Sequence, residues 1–192
     1  MVCFFGGFKS VNVVFKVADS QEEFAQIAEL NYSTFVEEIP QHSANSSRSL
    51  TDFFHAKNTY IVAKDEGVVI GMLALNMERP FSMDAKIPNL DRYIDASKKI
   101  LEIRLLAIKP AHRKGRILLG LMRQVVVYAL ANNVDFILIS GTTRELRMYE
   151  KFGFESFHPL VGKAGAMYSP MILDTSKAEA QKWKNLTSYP DL

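Results

Sequence analysis

The segment that decides the fold runs from Leu101 to Leu118 and has the sequence LEIRLLAIKPAHRKGRIL. Its first eight residues are mostly apolar and predict a strand in which Glu102 and Arg104 are the polar members. Pro110 ends this strand because proline has no N–H for the sheet. A short basic loop follows, and the apolar residues of Ile117–Ala131 then recur at helical spacing. The segment is therefore a strand, a basic turn and the start of a helix.

The basic turn has the chemistry of a phosphate-binding loop. The first N–H groups of a helix have no intrahelical partner, and the helix dipole is positive at that end. Arg113, Lys114 and Arg116 add positive charge, and Gly115 allows close approach of the backbone to a ligand. The alternative is that these are solvated residues at an ordinary strand-to-helix turn.

A second segment, Thr143–Phe154, has the sequence TRELRMYEKFGF and follows one further strand, Val134–Ile139. It predicts a helix over 143–152 with Gly153 at its C-terminal cap. Together the two segments resemble the GNAT acyltransferase superfamily, in which a basic pyrophosphate loop is followed by strand, helix and a Tyr-Glu-Lys-x-Gly-Phe ending. The match of Tyr149–Phe154 to that ending is close, and the resemblance covers roughly Val11–Leu173.

The rest of the chain fits an α/β (α+β) protein. Val11–Val17 predicts a strand, and Ser20 with Glu23 forms a capping box at the start of a helix. Thr59–Ala63 and Val68–Leu75 predict a hairpin. The element order β-α-(α)-β-β-β-α-β-α-β-β, with the resemblance, predicts the GNAT fold, a mixed, mostly antiparallel sheet of six to seven strands with helices on both faces. We expect one domain over residues 1–174 and a C-terminal tail over 175–192.

The resemblance also implies roles for particular residues. Glu102 is the expected general base, and Tyr149 is the expected proton donor or hydrogen-bond donor to the departing thiolate. The alternatives are a structural ion pair of Glu102 with Arg104 and an ordinary half-buried Tyr149. The cofactor-binding residues implied by the resemblance lie on the strand and the loop: Leu106, Ala107, Ile108, Arg113, Lys114, Gly115, Arg116, Ile117 and Leu118.

The loop departs from the usual family pattern, Arg-x-x-Gly-x-Gly/Ala. Counted from Arg113, the two small positions are occupied by Arg116 and Leu118, while the glycine is Gly115. Either main-chain donors still bind the pyrophosphate, or the loop has lost affinity for the cofactor. This variant loop is similar to that of the N-acyl amino acid synthases and, more distantly, of the acyl-homoserine-lactone synthases. That likeness implies a long acyl chain delivered on CoA or on acyl carrier protein.

Composition excludes several other classes of function. The 192 residues carry a net charge of +2, which is too small for a dedicated nucleic-acid-binding protein. No run of 18 apolar residues occurs, so we expect no membrane span. The only cysteine is Cys3 and the four histidines are scattered, so we expect no metal site, and a reducing cytoplasm is the expected location.

The sequence thus predicts an N-acyltransferase that moves an acyl group from acetyl-CoA, a longer acyl-CoA or acyl carrier protein to a primary amine of a small molecule such as an amino acid. The alternative hypothesis is a non-catalytic acyl-CoA-binding or sensor module on the same scaffold. A third hypothesis, a dimerisation domain that forms a homodimer, depends only on the tail that contains Trp183.

Overall fold

The computed structural model describes residues 13–113, 116–163 and 166–177. Its helices and strands follow one another in this order: β1 (Val14–Val17), α1 (Gln21–Tyr32), β2 (Thr59–Asp65), β3 (Val68–Asn76), β4 (Ile100–Ile108), α2 (Arg116–Ala131), β5 (Phe136–Thr142), α3 (Leu146–Lys151), β6 (Glu155–Ser156), β7 (Val161–Lys163) and β8 (Ala166–Asp174). The residues predicted for the tail beyond 177, Trp183 among them, lie outside the described ranges.

Helix α1 begins at the predicted capping box. Ser20 Oγ accepts a hydrogen bond from the Glu23 N–H at 3.2 Å. The return bond goes one residue further back than predicted, because Glu23 Oε2 accepts from the N–H of Asp19 at 3.0 Å. The buried Glu23 carboxylate also pairs with Lys64 of β2 at 2.6 Å and with Lys16 of β1 at 3.1 Å. One carboxylate therefore starts the helix and ties it to two strands.

The β2–β3 hairpin closes at Asp65-Glu66-Gly67, which the sequence predicts as its turn. Asp65 pairs with Val68, so the turn contains two residues, Glu66 and Gly67. Both have positive φ, 47° and 84°. Positive φ at both central positions is typical of a type I′ turn, whose twist matches that of the strands it joins.

Within the described residues, eight strands form one sheet in the order β1-β2-β3-β4-β5-β8-β6, with β7 also paired to β8. The β4–β5 pair is parallel and is connected by α2, whereas the other pairs are antiparallel. The mixed, mostly antiparallel sheet is confirmed. It has eight strands instead of six to seven because β7 has only three residues and no apolar run that predicts a strand.

Two helical predictions differ from the structure in length. The helix predicted over 143–152 begins only at Leu146. The short helix marked (α) in the predicted element order, which Leu50, Phe53 and Phe54 indicate, is a single 3₁₀ turn at His55–Lys57. Residues 143–145 are polar and the second segment is only a few residues long, so tertiary contacts decide where each helix begins and ends.

Helices cover both faces of the sheet, as predicted. The α2 and α3 face packs on alternate residues of the strands, including Leu73, Leu101 and Ile137. The opposite faces of β2 and β3 pack on α1. On that same side, the connection between β3 and β4 contributes Phe81, Met83, Ile87, Leu90 and Ile94 to a third cluster, which covers β4, β5 and β8. The sequence of this connection, residues 78–99, contains two prolines and mixed charges and predicts neither a helix nor a strand.

Candidate active site

Strands β4 and β5 are paired at one end and separate at the other. Their ladder runs from Ile100–Phe136 to Ile103–Ile139 and contains no later pair among the described residues. Because β4 continues to Ile108 and β5 to Thr142, a gap opens between them.

A β-bulge lies on β4 where the gap begins. Arg104 pairs with Ala74 and Ala107 with Met72, so Leu105 and Leu106 lie opposite the single residue Leu73. Leu105 has a φ of 55°, which is costly for a side chain of this size. Bulges bend strands and redirect their edges, so this one accounts for the divergence of β4 from β5.

The open end of the gap contains a cavity of about 360 Å³, here called the donor cavity. Five of the predicted cofactor-binding residues line it: Leu106, Ala107, Ile108, Arg113 and Leu118. The β4 edge that faces β5 has no strand partner there, so main-chain polar groups are available to a ligand.

The remaining predicted cofactor-binding residues are placed differently. Arg116 begins α2 and is exposed, and the Ile117 side chain is buried in the core, so neither is among the described residues that line the cavity. A Cβ added to Gly71 would lie only 2.9 Å from Ile117 Cγ2, so Ile117 contacts β3 closely. Because the Ile117 side chain is buried, only main-chain groups of this residue could bind a diphosphate. Lys114 and Gly115 lie outside the described residues.

Arg113 is already bound to a carboxylate. Its Nη1 donates to Glu38 Oε1 at 2.6 Å, its Nη2 contacts Glu38 Oε2, and its Nε donates to the carbonyl oxygen of Ile108 at 2.8 Å. This hydrogen bonding lowers the pKa of Glu38, against the effect of burial. Glu38 ends the π-helical turn Ser33–Glu38 that follows α1. Any anion that binds Arg113 must therefore compete with Glu38 for its guanidinium group.

A second cavity of about 590 Å³ adjoins the first and is named the acceptor cavity for the role proposed for it below. Its walls come from both sides of the sheet. Ile103, Met122, Ile139 and Phe154 belong to the core under α2, whereas Ser82 and Lys86 come from the β3–β4 connection on the other side. The gap between β4 and β5 is therefore a passage through the sheet, apolar on one side and polar on the other.

An ion pair forms part of the polar wall. Arg104 Nη1 and Nη2 donate to Asp52 Oδ2 and Oδ1 at 2.6 and 3.0 Å, and the Phe54 ring lies 4.4 Å from the guanidinium carbon. Asn31, the only polar residue on the apolar stripe of α1, also lines this cavity. Its Oδ1 is buried without a hydrogen-bond partner among the described residues.

Tyr149 lies where the two cavities meet. The cavities share six wall residues: Phe35, Gln41, Leu106, Thr142, Tyr149 and Tyr168. The Tyr149 ring packs against Gly141 of β5, where an added Cβ would lie 3.0 Å from the ring. Burial, with the nearby charge of Glu145, raises the pKa of Tyr149 to about 12. The hydroxyl is therefore protonated at neutral pH and can act as a hydrogen-bond donor.

Glu102 is buried beside the acceptor cavity, and it is not among the described residues that line either cavity. It accepts three hydrogen bonds, from the Ser82 N–H at 2.8 Å, the Ser82 hydroxyl at 2.7 Å and the Met83 N–H at 3.0 Å. Its distance to Arg104 Nε is 3.7 Å, longer than the Arg104–Asp52 bonds. Ser82 does line the cavity and stands between it and Glu102.

Four residues of these walls were missed in the sequence: Glu38, Asp52, Ser82 and Lys86. They lie in loops or in an irregular turn, where no periodicity marks a polar residue as buried. The one available signal was Asn31, a polar residue in an apolar helical stripe.

Within the ranges that the structure describes, no three side chains of His, Cys, Asp or Glu form a group able to hold a metal ion. The helices in those ranges are too short or too polar to cross a bilayer.

Comparison with known proteins places this geometry in a family. The sequence model of the family described as N-acyl amino acid synthase FeeM matches residues 26–173. No curated protein sequence matches the chain significantly.

Several solved structures have the same fold. FeeM, an N-acyl amino acid synthase from uncultured soil microbes, has a TM-score of 0.71 at 18% identity, covering 94% of this chain and 97% of that one. The CoA-dependent acyl-homoserine lactone synthase BjaI, solved with SAM and isopentyl-CoA, has a TM-score of 0.74 at 17% identity, covering 94% and 91%. An N-acetyltransferase from Staphylococcus aureus Mu50 has a TM-score of 0.59 at 15% identity, covering 85% and 98%.

At these identities the structural likenesses show the fold, which is that of the GNAT acyltransferases. The family match spans most of the chain, including the split strands, the Glu102 strand and Tyr149. The chain therefore belongs to the N-acyl amino acid synthase FeeM family and is an acyltransferase that transfers an acyl group to an amine.

Proposed function

We propose that the chain transfers a long acyl group from a pantetheine thioester to the amino group of an amino acid. The observation that supports this most directly is the passage through the sheet, in which Tyr149 and Leu106 belong to the walls of both cavities. A thioester that enters from the donor cavity and an amine in the acceptor cavity meet at these two residues. Both acyl-CoA and acyl carrier protein present the same pantetheine arm.

In this proposal the unpaired edge of β4 binds the donor. The main-chain groups of Leu106 and Ile108 that point away from β3 hydrogen-bond the pantetheine arm, and a main-chain N–H polarises the thioester carbonyl. Hydrogen-bond donors that are already in position stabilise the negative charge that develops on the carbonyl oxygen and so lower the barrier. Arg113 binds a phosphate group of the donor once its guanidinium is released from Glu38.

The amine must be neutral to attack the carbonyl, and Ser82 offers a path for its proton. In the proposed step the amine nitrogen bonds to the carbonyl carbon, its proton passes to Ser82 Oγ, and the Ser82 proton passes to Glu102 Oε1. The 2.7 Å hydrogen bond between these two oxygens supports the second transfer. Glu102 then acts as a base through Ser82 without touching the substrate, and it releases the proton to solvent before the next turnover.

Collapse of the tetrahedral intermediate breaks the carbon–sulfur bond and leaves a thiolate near Tyr149. With its pKa near 12, the phenol is a weaker acid than a thiol of ordinary pKa ~8.5. Complete proton transfer would cost about 5 kcal/mol, at about 1.4 kcal/mol per pKa unit. A hydrogen bond from Tyr149 to the thiolate is therefore the favoured role, and the proton that completes the thiol comes from solvent.

The apolar side of the passage suits the acyl chain. Ile103, Met122, Ile139 and Phe154 line it and belong to the core under α2. Met72, Phe81 and Met83 are instead buried in the second and third clusters and are not among the described residues that line this passage.

A direct test measures melting temperature and product formation with acyl-CoA thioesters of two to sixteen carbons, and with the same acyl groups on acyl carrier protein. A panel of the twenty amino acids supplies the acceptors, and mass spectrometry detects the N-acyl product. We expect a melting shift that grows with chain length, together with N-acyl amino acid formation. Binding without any turnover would instead indicate the non-catalytic sensor module. The absence of both would reject the proposal.

A further inference from the structure

One cation in the acceptor cavity has no role in the steps above. Lys86, on the β3–β4 connection, lines the cavity and donates from Nζ to Ser140 Oγ of β5 at 2.8 Å. The Nζ also lies 5.2 Å from the ring centre of Tyr168, a residue of β8 that lines both cavities. Three separate elements thus fix the position of this ammonium group.

The ammonium group lacks a counter-ion of its own. Among the described residues, no carboxylate lies within ion-pair distance of Lys86; Glu102 and Arg104 act on it only at longer range. The Glu102 oxygens already accept three hydrogen bonds, and Arg104 is paired with Asp52. Burial lowers the pKa of Lys86 below its ordinary value. A buried charge without a partner is costly, and an anionic ligand would remove that cost.

The position of this cation fits one end of an amino acid. Ser140 is the first residue of β5 after Ile139, which forms the last described pair with β4. Lys86 is therefore held where the gap between the strands begins. An amino acid carries its carboxylate and its amine on one carbon, so a carboxylate held at this point keeps the amine beside the gap.

The geometry points to Lys86, together with the hydroxyl of Ser140, as the site that binds the acceptor's carboxylate and so selects amino acids over simple amines. This inference depends on the proposed function, because it assigns the acceptor of that reaction. If the Lys86–Ser140 hydrogen bond had only a structural role, kcat/KM would not depend on whether the acceptor carries a carboxylate.

The test compares each amino acid with its carboxamide, which keeps the amine and the side chain but loses the charge. With the acyl donor fixed, kcat/KM is measured for both acceptors in the wild type, in Lys86→Met and in Ser140→Ala. Lys98→Met is the matched control, because Lys98 is exposed and lies 4.0 Å from Asp135, on the surface. Calorimetric titration of the amino acid and of the carboxamide without donor gives a readout that does not need turnover.

We expect the wild type to prefer the amino acid, and Lys86→Met to lower kcat/KM for it about 10- to 100-fold through KM, as hydrogen bonds to charged groups predict. In Lys86→Met, kcat and the kcat/KM for the carboxamide should be little changed, and Lys98→Met should have the wild-type kcat/KM for both acceptors. Ser140→Ala should lower kcat/KM for the amino acid by a smaller factor. Lys86→Arg should restore part of the preference for the amino acid.

A preference for the amino acid that survives in Lys86→Met, or an equal loss for both acceptors, would overturn the inference while leaving the transferase intact. If the wild type acylates neither acceptor, the proposed function fails, and calorimetry still decides whether Lys86 discriminates the carboxylate from the carboxamide.

Discussion

Ser82 binds both carboxylate oxygens of Glu102, donating its N–H to Oε2 at 2.8 Å and its hydroxyl to Oε1 at 2.7 Å. The first bond fixes the β3–β4 connection to the sheet, and the second leads from the acceptor cavity to a buried carboxylate. A substitution of the Ser82 side chain therefore tests its role in catalysis, because the main-chain bond that holds the connection stays in place.

Ser82→Ala should lower kcat about 10- to 100-fold and lower the melting temperature by about 3 to 10 °C, while the chain stays folded. The proton path to Glu102 is lost, and general-base effects are of that size or larger. Only one side-chain hydrogen bond is removed, but it is made to a carboxylate, so its loss costs about 1.5 to 3 kcal/mol of stability. Ser97→Ala, at an exposed turn where the hydroxyl bonds Asp95, is the control. Unchanged kcat would exclude the path through Ser82.

Glu102→Gln should destabilise the fold by about 2 to 4 kcal/mol, as measured by urea unfolding. The amide keeps one acceptor oxygen for three donors, so buried N–H or O–H groups of Ser82 and Met83 lose their partner. Glu155→Gln, on the exposed strand β6, should be neutral. Full stability in Glu102→Gln would show that these hydrogen bonds do not hold the connection.

Tyr149→Phe should lower kcat about 10- to 1000-fold and leave the KM of the donor nearly unchanged, since the hydroxyl serves a charge that develops only on the leaving sulfur. With the pKa of Tyr149 raised to about 12, the phenol stays protonated through the alkaline range of an ordinary assay. The pH profile of the variant should therefore keep its shape. An alkaline limb that disappears in Tyr149→Phe would contradict the raised pKa.

Glu38→Gln should tighten CoA binding about 3- to 10-fold. The neutral amide no longer holds the Arg113 guanidinium by charge, so Arg113 is free to bond a phosphate. Arg113→Ala should weaken binding instead. Glu37→Gln, next in the chain and paired with Arg48, is the matched control. Calorimetric titration with CoA measures all three, and weaker binding in Glu38→Gln would show that the pair itself builds the donor site.

Stability should fall in acid through Glu23. Burial alone would raise the pKa of this carboxyl, but hydrogen bonds from Lys64, the Asp19 N–H and Lys16 lower it to about 2. Because the pKa in the folded state lies below the ordinary value, this stabilisation is complete above about pH 4.5 and is lost as the pH falls toward 2. Melting temperature should drop over that window, and Glu23→Gln should be destabilised by about 3 kcal/mol at neutral pH with a flatter acid limb. An equally steep acid limb in the variant would assign the effect to other carboxylates.

The local features of the fold were predictable because each is encoded by neighbouring residues. The capping box at Ser20, the two-residue turn at Glu66–Gly67 and the helix after the basic loop depend on hydrogen bonds and spacing within a few positions. The bulge at Leu105 was not predictable, since Leu105 and Leu106 continue an apolar run and only pairing with β3 shows that two residues face one.

The sequence by itself determined the family, the strand, basic loop and helix beside the donor cavity, and the place of Tyr149 in the helix after β5, because these depend on contiguous motifs. Only the tertiary structure decided that Glu38 binds Arg113, that Ser82 stands between Glu102 and the cavity, and that Lys86 reaches Ser140. Those contacts join residues 20 to 75 positions apart, from loops with no periodic pattern, so their partners are set by the packing of the β3–β4 connection and the turn after α1 on the sheet.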